Sequence, residues 1–230
     1  MNTFELFGLQ HFLVILISLL VAILLPWFVK NRLKLTWEYP IRLILALSTW
    51  INEISMWTYR VMDGTYTFQE HLPLHLCGFS IILSPIMLMK KNQKIYDLVY
   101  FWGLGGAIQA LLTPTIEHGF PTFLFFQFFY GHGMIILSVV YATVVLGMRP
   151  TFSAMIKTSF ITLGLLVPIG IVNWMIGSNY FFISGKPETP TLLDFMGPWP
   201  FYLVPLTVVG FIVFWLVYLP FPLYRKFRST

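Results

Sequence analysis

Residues 70–91 read EHLPLHLCGFSIILSPIMLMKK. A glutamate, two histidines and a thiol stand at the head of the stretch, an apolar run follows, and Lys90 and Lys91 end it. This pattern predicts a membrane helix over residues 71–89 with a polar mouth. Lipid offers no hydrogen-bond partners, so a polar group taken into it marks either a paired site or a functional one. Cys77 is the only cysteine in the chain, which excludes an internal disulfide and a cysteine-rich metal site.

Outward from this stretch, composition places the whole chain in the bilayer. Apolar residues make up 57% of the 230 and charged residues 10%, against roughly 45–50% and 25% in soluble domains. The apolar runs approach the ~20 residues that a helix needs to cross a membrane. The reading is an all-α, polytopic membrane helix bundle forming a single domain. Its seven transmembrane helices fall at about 10–29, 39–60, 71–89, 95–113, 121–148, 153–177 and 199–220. The first run lacks the basic start and small-residue cleavage site of a signal peptide, so it is expected to be retained. Gly103, Gly105, Gly106 and Ala107 form a small-residue patch suited to close helix approach. Pro168 and Gly170 predict a kink near Asn173.

The net charge of +5 does not signal a nucleic-acid partner, because the basic residues sit at helix ends. Lys30, Arg32, Lys34, Arg42, Lys90, Lys91, Lys94, Arg149, Lys157, Arg225, Lys226 and Arg228 share one side. Only Arg60 and Lys186 fall opposite. The positive-inside rule then puts the N-terminus outside and the C-terminus in the cytoplasm. Glu53, Cys77, Gln109 and Asn173 lie roughly 6–10 Å below the outer helix ends, and His132 about 16 Å. A polar cavity opening outward is expected.

A thiol becomes a nucleophile when a histidine takes its proton. His132 is the preferred base, flanked by glycines in YGHGM. His75, two residues before Cys77, would face nearly away on a helix. A membrane cysteine also serves as a small packing residue. His71 and His75, spaced i, i+4, are a weak alternative metal pair, with Glu53, His11 or His118 as further ligands. Neither a metal nor a haem, flavin or nucleotide cofactor is expected. The aromatics of FLFFQFFY read as packing or lipid-facing residues.

Three motifs in order, LPLHLCGF, YGHG and NYFF...KP...LLDFMGPWPFY, resemble the YwaF-like family of bacterial integral membrane proteins, related to the animal transmembrane protein 164 lipid acyltransferases. The resemblance spans most of the chain. It implies Cys77 as nucleophile and His132 as base, with membrane phospholipids or lysolipids as partners, in the bacterial cytoplasmic (plasma) membrane. In the resulting scheme, a Cys77 acyl-thioester passes its acyl chain between lipids. Asn52, Gln109 and Asn173 are candidate oxyanion donors, Glu53 is a supporting group, and Arg60 and Lys186 are candidate contacts to a lipid head group. The 178–198 connection is a candidate lid. Two alternatives are a non-enzymatic bundle that binds or transports a lipid or small molecule, and a metal-dependent lipid amidase.

Overall fold

The computed structural model describes residues 3–187 and 192–228. Eight α-helices are formed among these residues: α1 (Leu9–Arg32), α2 (Glu38–Met62), α3 (Leu76–Lys90), α4 (Gln93–Leu112), α5 (Phe123–Val144), α6 (Phe152–Ile176), α7 (Leu203–Tyr218) and the short α8 (Pro220–Arg228). Caps explain several of the boundaries. The Asn92 side chain accepts from the Lys94 and Ile95 N–H groups at the start of α4, and Thr122 and Thr151 do the same for α5 and α6. Gly177, at φ 69°, closes α6 in the left-handed conformation that glycine adopts without steric cost. The α6 segment continues through Pro168 to Ile176.

Two boundaries differ from the sequence reading. α3 begins at Leu76 rather than residue 71, because His75 is extended (φ −95°, ψ 161°) and acts as its N-cap residue. Pro73 folds back against the first turn of α3: a Cβ on Gly78 would lie 2.8 Å from the Pro73 backbone. The i, i+4 argument for His71 and His75 therefore lapses, as does the helical-wheel argument that turned His75 away from Cys77. At the other end, 199–202 form a turn before α7, and α8 was not anticipated.

Contacts between helices fix their relative directions. Trp50 reaches Ile82 and Arg42 reaches Leu88, so α2 and α3 are antiparallel. Gly106 faces Cys77 and Gly103 faces Ser80, which makes α3 and α4 antiparallel. Tyr96 bonds Thr143 while Gly103 faces Ile135, setting α4 against α5. Tyr100 bonds the Val217 carbonyl and Gly105 faces Val213, setting α4 against α7. α1 runs parallel to α5, with His11 beside Phe129 and Ser18 beside Gly133. Phe152 at the start of α6 lies against Tyr218 at the end of α7, and α1–α7 thus alternate in direction.

α4 and α5 form the buried centre, while α1, α6 and α7 expose most of their apolar surface. Among the described residues, five helices are long and apolar enough to cross a membrane: α1, α4, α5, α6 and α7 with its extension to Tyr224. α3 is shorter, at 15 residues, and α2 carries Arg42, Asn52, Glu53 and Arg60 along its 25. Both pack against the central pair. Arg42, one of the basic residues that the sequence places at helix ends, is buried. Its guanidinium pairs with Glu38 at 2.9 Å and donates to the Leu88 and Met89 carbonyls at the end of α3. Lys91 reaches the same carboxylate at 3.4 Å.

Candidate functional site

A cavity of about 1050 Å³ lies between α3, α4, α6 and α7, at the upper end of the ~300–1,000 Å³ usual for small-molecule sites. Cys77 is in its wall. The thiol belongs to the second residue of α3, and the missing side chain of Gly106 makes room for it: a Cβ there would lie 2.6 Å from Cys77 Sγ. Among the described residues, no hydrogen bond occupies the N–H groups of Cys77 and Gly78, the orphan donors of a helix start.

Of the residues singled out from sequence, Cys77, His75, Gln109 and Asn173 line the cavity. His132 is not among the lining residues and makes no hydrogen bond to Cys77. Its depth does match. Gly103 packs on both Ile135 and Ser80, and His132 and Cys77 each stand one turn further toward the same end. His132 Nδ1 lies 2.8 Å from the Phe128 carbonyl. A carbonyl only accepts, so this bond assigns the proton to Nδ1 and leaves Nε2 with its lone pair.

Asn52 donates to the Gln127 carbonyl at 3.3 Å, and Glu53 is bonded to the Trp57 side chain. Gln109 donates to Thr113 at 2.8 Å. Arg60 Nε is buried with no partner among the described residues. Lys186 reaches the Asp194 carbonyl at 3.4 Å and lies over the Tyr202 ring. His71 Nδ1 takes the Thr67 N–H, whereas His75 Nδ1 takes the Phe181 N–H and its ring lies against Phe182. His11 is buried with both ring nitrogens used, by Phe7 N–H and the Leu111 carbonyl. No group of three potential metal ligands occurs among the described residues.

One end of the cavity is covered by the start of the α6–α7 connection, whose residues 188–191 lie outside the described residues. Asn173 holds this cap: its amide donates to the Tyr180 carbonyl and accepts from Tyr180 N–H and Ser178 Oγ. Tyr180, fully buried, joins the cap to the turn before α3. Its hydroxyl donates to the Phe68 carbonyl at 2.7 Å and accepts the Leu72 N–H at 2.8 Å. Burial pushes its phenol up, so it stays a donor at neutral pH. Phe181 and Phe182 both adopt left-handed backbone, at φ 60° and 54°, a region rarely occupied by aromatic residues. They are held there by His75, Asn179 and the Tyr202 hydroxyl.

Sequence reasoning missed Tyr180 and Tyr202 as cap residues. Their signal was present in NYFF and PWPFY as phenols inside apolar segments, since a buried phenol needs a partner.

Fold and site define an α-helical integral membrane protein with a cysteine in the wall of a capped cavity between its helices. The chain belongs to the TMEM164 family, whose family model matches residues 6–218. It is also similar to an uncharacterised protein of Treponema pallidum (strain Nichols), 25% identical over 163 residues, a match covering 70% of this chain and 66% of that protein. No solved structure matches.

Proposed function

We propose that the protein is a lipid transacylase of the cytoplasmic membrane, with Cys77 as nucleophile and His132 as base. The observation that carries this reading is the placement of the chain's one thiol at the start of α3, in the wall of the large cavity. The free Nε2 of His132 at matching depth supports the pairing. Base and nucleophile are often more widely spaced before substrate binds than in the reactive complex.

In the first half-reaction Nε2 takes the thiol proton and sulfur attacks the ester carbonyl carbon of a phospholipid. The ester C–O bond breaks, and the imidazolium returns the proton to the departing lysolipid oxygen. In the second half-reaction the hydroxyl of another lysolipid gives its proton to His132 and attacks the thioester. The C–S bond then breaks and the thiol is restored. The Cys77 N–H, unbonded among the described residues at the start of α3 in the cavity wall, and the Gln109 amide are the candidate oxyanion donors, since Asn52 is not in the lining and Asn173 holds the cap.

All of α1–α7 cross the membrane in this reading, with the N-terminus outside. The alternating helix directions and the basic residues at one end support it. α2 and α3 cross as inner members whose polar groups face protein. Arg60 and Lys186 lie at the outer end, where phospholipid head groups would meet them.

The test uses purified protein with acyl-labelled phospholipid. Hydroxylamine-labile label is expected on the wild type, none on Cys77→Ala, and label slowed by roughly 10²–10⁴ on His132→Ala. Folded wild-type protein that takes up no label from any phospholipid class would overturn the reading in favour of a non-catalytic lipid-binding bundle. The separation of His132 from the cavity lining favours that second reading.

A further inference from the structure

We infer that the cavity is an acyl-chain channel closed at its inner end by Ser159, which sets the longest chain accepted, and that Gly210 keeps its bore open. This inference rests on the reading of the cavity as a lipid site. It adds the part of the ligand that is held and the residues that measure it.

Hydroxyl chemistry carries the first step. Ser159, Thr162 and Thr207 line the cavity, yet each hydroxyl is turned onto its own helix. Ser159 donates to the Met155 carbonyl at 3.0 Å, Thr162 to Thr158 at 2.8 Å and Thr207 to Leu203 at 2.8 Å. Thr162 also receives the Trp102 indole N–H. These residues therefore present carbon to the space, beside Leu166, Leu206 and Phe214. A polar ligand burying itself here would lose its water without gaining partners, whereas a hydrocarbon chain loses nothing.

Glycine geometry carries the second step. Five glycines line the cavity: Gly105, Gly106, Gly170, Gly210 and Gly177, the last required by its φ of 69° at the end of α6. A Cβ on the first three would meet Val213, Cys77 or Ile183, but one on Gly210 meets nothing within 4 Å. Glycine inside a helix costs roughly 1 kcal/mol against alanine, and neither close packing nor a positive φ calls for it at Gly210. What it leaves is space, on the wall of α7 about one turn from the Phe214 that packs on Gly105.

Length agrees. From Ser159 to Asn173 the cavity follows α6 for about 21 Å at ~1.5 Å per residue. That exceeds the roughly 15 Å of one leaflet of a ~30 Å hydrocarbon core.

The experiment measures saturated fatty acids from octanoic to stearic by native mass spectrometry on the full chain carrying Cys77→Ala, so that binding is read without transfer. Each buried methylene is worth about fourfold in affinity. Ser159→Leu is expected to weaken stearic acid by roughly fifteenfold, the effect of excluding about two methylenes, and to leave octanoic acid within twofold. Gly210→Leu should weaken every chain length, and Gly164→Leu, on the exposed side of α6, none. Ser159→Val and Gly210→Ala provide smaller steps in the same directions if the larger variants unfold. Ser159 variants that fold but weaken all lengths equally, or none, overturn the inference. Absent thioester label with an intact length profile would sink the transacylase reading instead and leave the channel standing.

Discussion

At the scale of single residues, the tightest constraint in the site is the contact between Cys77 and Gly106. Replacing a helical glycine by alanine ordinarily stabilises by up to ~1 kcal/mol. Here the new methyl would stand 2.6 Å from Sγ, and overpacking of that kind costs about 1–3 kcal/mol. Gly106→Ala should therefore lower the thermal unfolding temperature in detergent. In a Cys77→Ala background the offending atom is gone, and the same substitution should become neutral or stabilising. A loss of equal size in both backgrounds would show that the clash is not with the thiol. Cys77 at the head of an apolar run was legible from the sequence, because a thiol beside histidines is visible locally, but its place as the second residue of α3 was not, since the apolar run put the helix start at residue 71. Tyr180 was not, because the atoms that give it a role belong to Phe68 and Leu72, over a hundred positions away.

Among the helices and turns, two devices hold the site in place. Tyr180 ties the α6–α7 cap to the turn that positions α3. Tyr180→Phe removes a donor and leaves the Leu72 N–H without its acceptor, at a cost of roughly 1–3 kcal/mol. Amide exchange should quicken together in residues 68–75 and 178–185, and exchange confined to one segment would mean that the two are not coupled. The C-terminal end of α3 depends on Arg42. Arg42→Met strands the α3 carbonyls and part of the Glu38 carboxylate, and breaking such a buried pair costs about 3–5 kcal/mol. Adding Glu38→Gln should recover part of that loss, as measured by thermal unfolding of the single and double variants. The span of most helices followed from apolar run length, whereas the start of α3 did not. An apolar run does not distinguish a helical turn from the folded-back Pro73 segment packed on Gly78.

For the whole molecule, the alternation of helix directions and the gathering of 12 of the 14 Lys and Arg at one end make a topological prediction. In a Cys77→Ala background, Thr65→Cys in the α2–α3 turn should react with a membrane-impermeant maleimide on intact cells. Lys34→Cys, at the opposite end, should react only after permeabilisation. The reverse pattern would invert the proposed orientation, and labelling of both on intact cells would break the seven-span arrangement. Residence in a membrane, the all-α class and the prominence of Cys77 were already present in the chain as written. Each depends on local composition or on run length, quantities that solvent and the helical period act on directly. The polar residues of α2, α5 and α6 were a different matter, since depth alone suggested that they gather in one cavity. Folding instead gives Asn52 to the Gln127 carbonyl and His132 Nδ1 to Phe128, keeps Asn173 in the cavity wall only as the anchor of its cap, and brings α7 into that wall. Periodicity gives a side chain its height in the bilayer, but its partner depends on how each helix is rotated, and rotation is set by packing against helices distant in sequence.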